Sequence, residues 1–145
     1  RIMNKFIFII ISNTNVYNVD SVIKVFDILH TFFHEYEENK AISSFKYKVD
    51  YNLIYKAIAI ILNNESYLCI CKVFWFLYNN SHIMNLDPFS KLLKSIFCDK
   101  FYFLFFHWAY QVRNFFFYFL LFIIGHRLRN NVNNCFGIDG NEEIS

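Results

Sequence analysis

Four groups of residues in this sequence carry side chains whose types and spacing could do chemistry. Asp27, His30 and His34 recur at three-and-four spacing, which puts a carboxylate and two imidazoles along one side of a helix. Such a set could hold a metal ion, as in H-x-x-x-H iron boxes, but those enzymes combine several boxes with membrane-spanning helices. The zincin arrangement H-E-x-x-H is absent, since Glu35 follows His34 with no second histidine in register. Cys69-x-Cys71 lacks the matching second pair that a structural zinc site needs. The third group is His107, Trp108 and Arg113. A Trp and an Arg meeting at a turn suit partner contact, while the plainer expectation has Trp108 plugging a hairpin and Arg113 bonding backbone carbonyls of an adjacent repeat. The fourth is His126, Arg127 and Arg129, cations at a helix end where the macrodipole favours them or where a phosphate could bind. Trp108, Arg113, Arg127 and Arg129 are therefore the candidate partner contacts.

Nothing else specifies a reaction. There is no phosphate loop, no G-x-S-x-G elbow and no nucleophile with a partner at sensible spacing. The glycines are Gly125, Gly137 and Gly140, too few and too far along the chain for a glycine-rich cofactor loop. The expectation is a protein that is not an enzyme, with no catalytic residue, cofactor or metal ligand and no small-molecule substrate. With 14 basic and 12 acidic residues, scattered, the chain lacks the basic stripe of a nucleic-acid binder.

The elements that must position these groups follow from apolar spacing. Val22, Val25, Phe26, Leu29, Phe32, Phe33 and Tyr36 form the stripe of a helix starting at Asp20 as N-cap. Residues 37–50 read as a connection. Asp50 caps a helix from Tyr51 to Leu62 with Ile54, Ala57, Ile58 and Ile61 inward, and Asn64 caps another over Glu65 to Tyr78. A loop over 79–86 leads to Asp87-Pro88, an N-cap followed by proline at the first helical position, and a stripe of Phe89, Leu92, Leu93, Ile96 and Phe97. Asp99 caps a short helix ending near His107. A turn at Ala109-Tyr110 then opens a long helix over Gln111 to Arg127 with Val112, Phe116, Leu120 and Ile123 inward and Phe119 beside them.

Helix starts lie about 37 residues apart from Tyr51 to Pro88 and about 35 from Glu65 to Lys100, periods that suit stacked helix pairs. The expected fold class is all-α, antiparallel helix pairs stacked as an armadillo/HEAT-like partial solenoid, with an irregular helical bundle as the alternative. The domain spans 20–128, between a flank at 1–19 and a polar, disordered tail at 129–145. Its expected role is a non-enzymatic module for protein–protein interaction or scaffolding, with a protein partner, in the cytoplasm.

The 20 Phe and 10 Tyr among 145 residues, 22% aromatic, raise the alternative of a membrane protein, integral or attached at its surface, through Phe101–Ile124. The longest apolar run, Phe115 to Ile124, is about half of the roughly 20 residues that span a bilayer. Arg113, Gln111 and His107 interrupt its upstream extension, and an arginine at bilayer depth costs about 3 kcal/mol. An AT-rich genome, placing Phe and Ile where others use Leu and Ala, accounts for most of the aromatic excess. The four cysteines, Cys69, Cys71, Cys98 and Cys135, suggest no pairing and are expected to be reduced core thiols of an intracellular protein. The start at Arg1 suggests a fragment.

The order of three segments resembles a known family: VFDILHTFFHEYEE, then NLIYKAIAIILNNESYLCICKVFWFLYNN, then SKLLKSIFCDKFYFLFFHWAYQVRNFFFYFLLF. The most specific pieces are FYFLFFHWAYQVRNFF from Phe101 to Phe116 and NNESYLCICKVFWFLY from Asn63 to Tyr78. They resemble the domain of unknown function 1765, over roughly residues 20 to 128. The resemblance implies a eukaryotic, fungal α-helical module within a longer protein, of a family labelled as membrane proteins for its hydrophobicity. It supplies no catalytic residues to carry over.

Overall fold

The computed structural model describes residues 2–38, 49–82 and 86–136, with side chains described except at Met3, 36–38, 86–88 and 127–136. Among them every regular element is a helix: α1 (Ile2–Ser12), α2 (Val19–Glu38), α3 (Tyr51–Ile61), α4 (Tyr67–Asn80), α5 (Leu86–Lys94), α6 (Phe101–Phe105) and α7 (Tyr110–Phe136), with one wide π turn, Ser95–Asp99, between α5 and α6.

Local chemistry sets most of these boundaries. Asp50 caps α3 as its position suggests, its carboxylate accepting from the Asn52 amide at 3.1 Å. At α2 the cap is Asn18 rather than Asp20: the Asn18 amide oxygen accepts from Ser21 N at 3.1 Å. Asp20 lies inside the first turn, where its negative charge suits the helix dipole. Helix α4 begins at Tyr67, two residues later than its sequence suggests. Asn64 spends its side chain upstream of the helix, its oxygen accepting from Ser66 N at 3.0 Å and its amide donating to the Val16 carbonyl at 2.7 Å. The cap expected at Asp87 and most of the connection expected over 37–50 lie outside the described side chains and residues.

Asp99 caps nothing. It ends the π turn, which Lys100 N closes onto Ser95 O at 3.3 Å, and α6 follows from Phe101. A π turn widens the helix by one residue per turn and so shifts the register of the residues after it. Helix α7 runs past Arg127 to Phe136, into the segment expected to be a disordered tail, and residues 137–145 lie outside the description.

Helix α4 packs between α2 and α7, while α3 packs against α1, α4 and α5, and α6 folds back on α7. Two rows of neighbours result, α2–α4–α7 and α1–α3–α5. The core between them is aromatic. Phe76 meets Phe26 at 5.1 Å and Phe33 at 6.0 Å between ring centroids, fastening α4 to α2. Phe74 meets Phe119 at 5.5 Å and Phe116 at 5.8 Å, fastening α4 to α7. Phe97, on the π turn, reaches the same two rings at 6.1 Å. Burying each such ring contributes roughly 1.5–3 kcal/mol, with about 0.5–1.5 kcal/mol more per well-oriented pair.

The expected stripes hold for Val22, Phe26, Leu29 and Phe33 on α2, for Ile54, Ile58 and Ile61 on α3, and for Phe89, Leu92, Leu93 and Ile96 after Pro88. On α7, Val112, Phe116 and Phe119 are buried, and Leu120 sits at the edge of that face, half-buried. Helix α1 is an element without a sequence signal; its Ile7 belongs to the same core as α2 and α3. Cys98 is exposed rather than a core thiol. Cys69 is buried, and burial pushes the Cys71 thiol up to about 11.

Candidate interaction surface

The Asp27 carboxylate and the His30 imidazole on α2 are engaged with α4, while His34 is exposed and stands edge-on to His30 at 6.3 Å. Lys72 places its ammonium 2.5 Å from the Asp27 carboxylate and 3.6 Å from the centre of the Trp75 ring. The His30 ring stands edge-on to Trp75 at 4.8 Å, and its Nδ1 lies 3.2 Å from Oδ1 of Asn80. Asn80 is 1% exposed and donates its amide to the Phe76 carbonyl at 2.8 Å. That bond fixes the amide orientation, so Nδ1 of His30 carries the proton and donates it. Asp27, His30, Lys72, Trp75 and Asn80 thus form a polar seam that registers α2 against α4. Among the described residues no three His, Cys, Asp or Glu side chains come together as a metal site.

This seam makes unequal demands. Asp27 is half exposed, and Asp27→Ala should cost less than about 1 kcal/mol in urea unfolding. Asn80→Ala leaves the His30 N–H without its acceptor inside the packing and should cost about 1–3 kcal/mol. Equal losses for the two would contradict the seam.

The turn before α7 departs from the plain expectation. Trp108 is 72% exposed and does not plug the hairpin; it touches Tyr67 edge-on at 5.6 Å. The residue that fills the turn is His107, 4% exposed, whose Nδ1 accepts from Ala109 N at 3.1 Å. Arg113 does bond backbone carbonyls, but those of its own turn: Nη1 donates to His107 O at 2.5 Å and Trp108 O at 3.1 Å. A smaller, ring-nitrogen acceptor wins the buried place because it satisfies an amide there, which indole cannot. The backbones of Arg127 and Arg129 lie on α7, and their side chains lie outside the description.

Burial lowers the pKa of His107, and the nearby Arg113 guanidinium adds to that lowering. The folded chain therefore holds this imidazole neutral where the unfolded chain would protonate it. Its stability contribution is full above about pH 6.5 and is lost as pH falls through that value toward the folded-state pKa. His107→Asn keeps an acceptor for the Ala109 amide and removes the titration. Urea unfolding from pH 8 to 5 should flatten in that variant, and an unchanged slope would refute the assignment.

The feature that sequence spacing had hidden is a second apolar face on α7. Tyr110, Phe117, Leu121 and Ile124, at successive spacings of seven, four and three residues, fall on one side of the helix. All four are exposed, Phe117 by 48% and Leu121 by 50%, on the side away from buried Val112, Phe116 and Phe119. The signal was present in the sequence, but from Phe115 to Ile124 the helix is apolar all round and offers no contrast between its two stripes. On α6, which packs along α7, Tyr102, Phe103 and Phe105 are exposed too, as is Phe106 just beyond its end. Monomeric proteins rarely leave extensive apolar surface open to water unless it binds something. No helix among the described residues is long and apolar enough to cross a membrane.

These features define an all-helical protein whose last helices present an aromatic face that is exposed among the described residues. The chain belongs to the family described as Protein of unknown function (DUF1765), whose model matches residues 3–124. That match takes in α1 as well as the segments that carry the resemblance. No curated protein and no solved structure matches the chain.

Proposed function

We propose that this chain is a non-enzymatic helical-repeat module of the armadillo/HEAT kind that binds another protein. On this reading its units are α1 with α2, α3 with α4, and α5–α6 with α7, a pairing supported by two rows of neighbours that each hold one helix of every pair. In such a stack an inner helix is apolar on two sides, as α4 is between α2 and α7. The single observation that carries the proposal is the second stripe of α7, Tyr110, Phe117, Leu121 and Ile124. It repeats on the open side the arrangement that α4 covers on the other. The partner is a polypeptide presenting an apolar helical face, laid along α7 as α4 is, with Trp108 at the margin as an aromatic anchor.

Sedimentation of the protein in extracts of the cells that make it tests this. The native chain should sediment above its monomer mass, and Phe117→Glu with Leu121→Glu should return it to that mass. An identical sedimentation profile for both would overturn the proposal.

A further inference from the structure

A different part of the molecule holds a half-open apolar pocket. Helices α1, α2 and α3 surround a cavity of about 280 Å³ whose wall includes Ile11, Val25, Leu29, Leu53, Ile54 and Ala57. That volume is close to the lower end of small-molecule sites, roughly 300–1,000 Å³. Its two uncharged polar neighbours are already satisfied: Thr14 Oγ1 donates to Ile10 O at 2.6 Å, and the Val16 carbonyl accepts from Asn64 at 2.7 Å. A pocket wall of this kind offers water few hydrogen-bond partners, which favours an apolar occupant. One charged residue lines it. Lys56 is exposed, so its ammonium stands at the rim, and it has no ion-pair partner among the described residues.

We propose that this cavity binds a single alkyl chain bearing an anionic head group, with the chain inside the α1–α2–α3 wall and the head at Lys56. The apolar wall sets the affinity for the chain. The ammonium selects carboxylate or phosphate over a neutral or cationic head, because a charge-assisted bond at a partly shielded rim outweighs one to a neutral hydroxyl. The flexible four-carbon stem of Lys56 also gives it the reach to follow the head group.

Titration calorimetry with decanoate, on the whole protein, should show one bound molecule per chain. Lys56→Ala should weaken decanoate about tenfold while leaving decanol unchanged. Ala57→Phe fills the cavity and should abolish both, and Phe117→Glu with Leu121→Glu should alter neither, which separates this site from the exposed face of α7. Independently of any variant, a fatty carboxylate carrying a nitroxide on its chain should broaden the methyl signals of Leu29 and Ile54 and spare those of Leu121. Sedimentation with vesicles of phosphatidylcholine and phosphatidylserine distinguishes the source of the chain. Pelleting that Ala57→Phe abolishes assigns it to a bilayer lipid, and protein left in the supernatant assigns it to a free amphiphile. No decanoate binding, equal affinity in Lys56→Ala, or broadening at Leu121 in place of Leu29 would overturn the proposal.

Discussion

Phe116→Ala should destabilise the chain by about 3–5 kcal/mol, a large part of the 5–15 kcal/mol by which domains are ordinarily stable. The ring is 1% exposed and touches Phe74 of α4 at 5.8 Å, Phe97 of the π turn at 6.1 Å and Phe101 of α6 at 5.7 Å. Four segments therefore meet on one side chain, and helices held rigidly at three sides collapse poorly into the space it leaves. Urea unfolding followed by far-UV circular dichroism measures the loss. The neighbouring Phe115→Ala, at a position 40% exposed, is the control and should cost roughly 0.5 kcal/mol or less. A loss below about 1 kcal/mol at Phe116 would mean that α7 does not dock on α4 as described.

Phe117→Glu with Leu121→Glu should have the opposite profile, a large effect on association with almost none on folding. Both side chains are about half exposed and neither belongs to the buried core, so charging them should move stability by roughly 0.5 kcal/mol at each site. The same change puts two carboxylates in the middle of the proposed interface. Burying them unpaired against an apolar helix face costs several kcal/mol, enough to reduce partner affinity more than a hundredfold. Competition binding of native and variant chains to the isolated partner gives the ratio. A variant that unfolds, or that binds within threefold of the native chain, would count against an interface at α7.

Stripes with one polar flank were legible in the sequence: Val22, Phe26, Leu29 and Phe33 show three-and-four spacing against charged neighbours, and they are the buried face of α2. The Asp50 cap was legible because its partner, Asn52, is two residues away. Contacts over long sequence separations were not. His30 on α2 and Asn80 at the end of α4 are fifty residues apart, so three-and-four spacing shows His30 beside the apolar face but not its partner. The π turn was equally hidden, since an extra residue in one turn leaves the apolar composition unchanged while shifting the face that Phe97 presents. Trp108 and His107 were distinguished only by tertiary structure, because a buried amide at Ala109 needs an acceptor and the imidazole supplies one. Helix α1 is apolar nearly all round, and only its docking on α2 and α3 singles out Ile7.

The candidate site was legible in part. The aromatic run from Phe101 onward read as a candidate membrane segment, while Trp108, named from the sequence as a candidate partner contact, is exposed. Arg113 is committed to its own turn by two backbone bonds. Aromatic abundance itself was a poor guide, because Phe74, Phe76, Phe116 and Phe119 are core while Phe103, Phe106 and Phe117 are surface. Exposure, and not composition, separates the two sets.

The most direct measurement places a photoreactive benzoylphenylalanine at Leu121 in the protein as its own cells make it. After irradiation, mass spectrometry identifies the adducts. The proposed module predicts crosslinks to one polypeptide, confined to peptides with an apolar stripe at helical spacing, and their loss when Phe117→Glu is added with helicity unchanged. Adducts to lipid, or polypeptide adducts that survive Phe117→Glu, would contradict it.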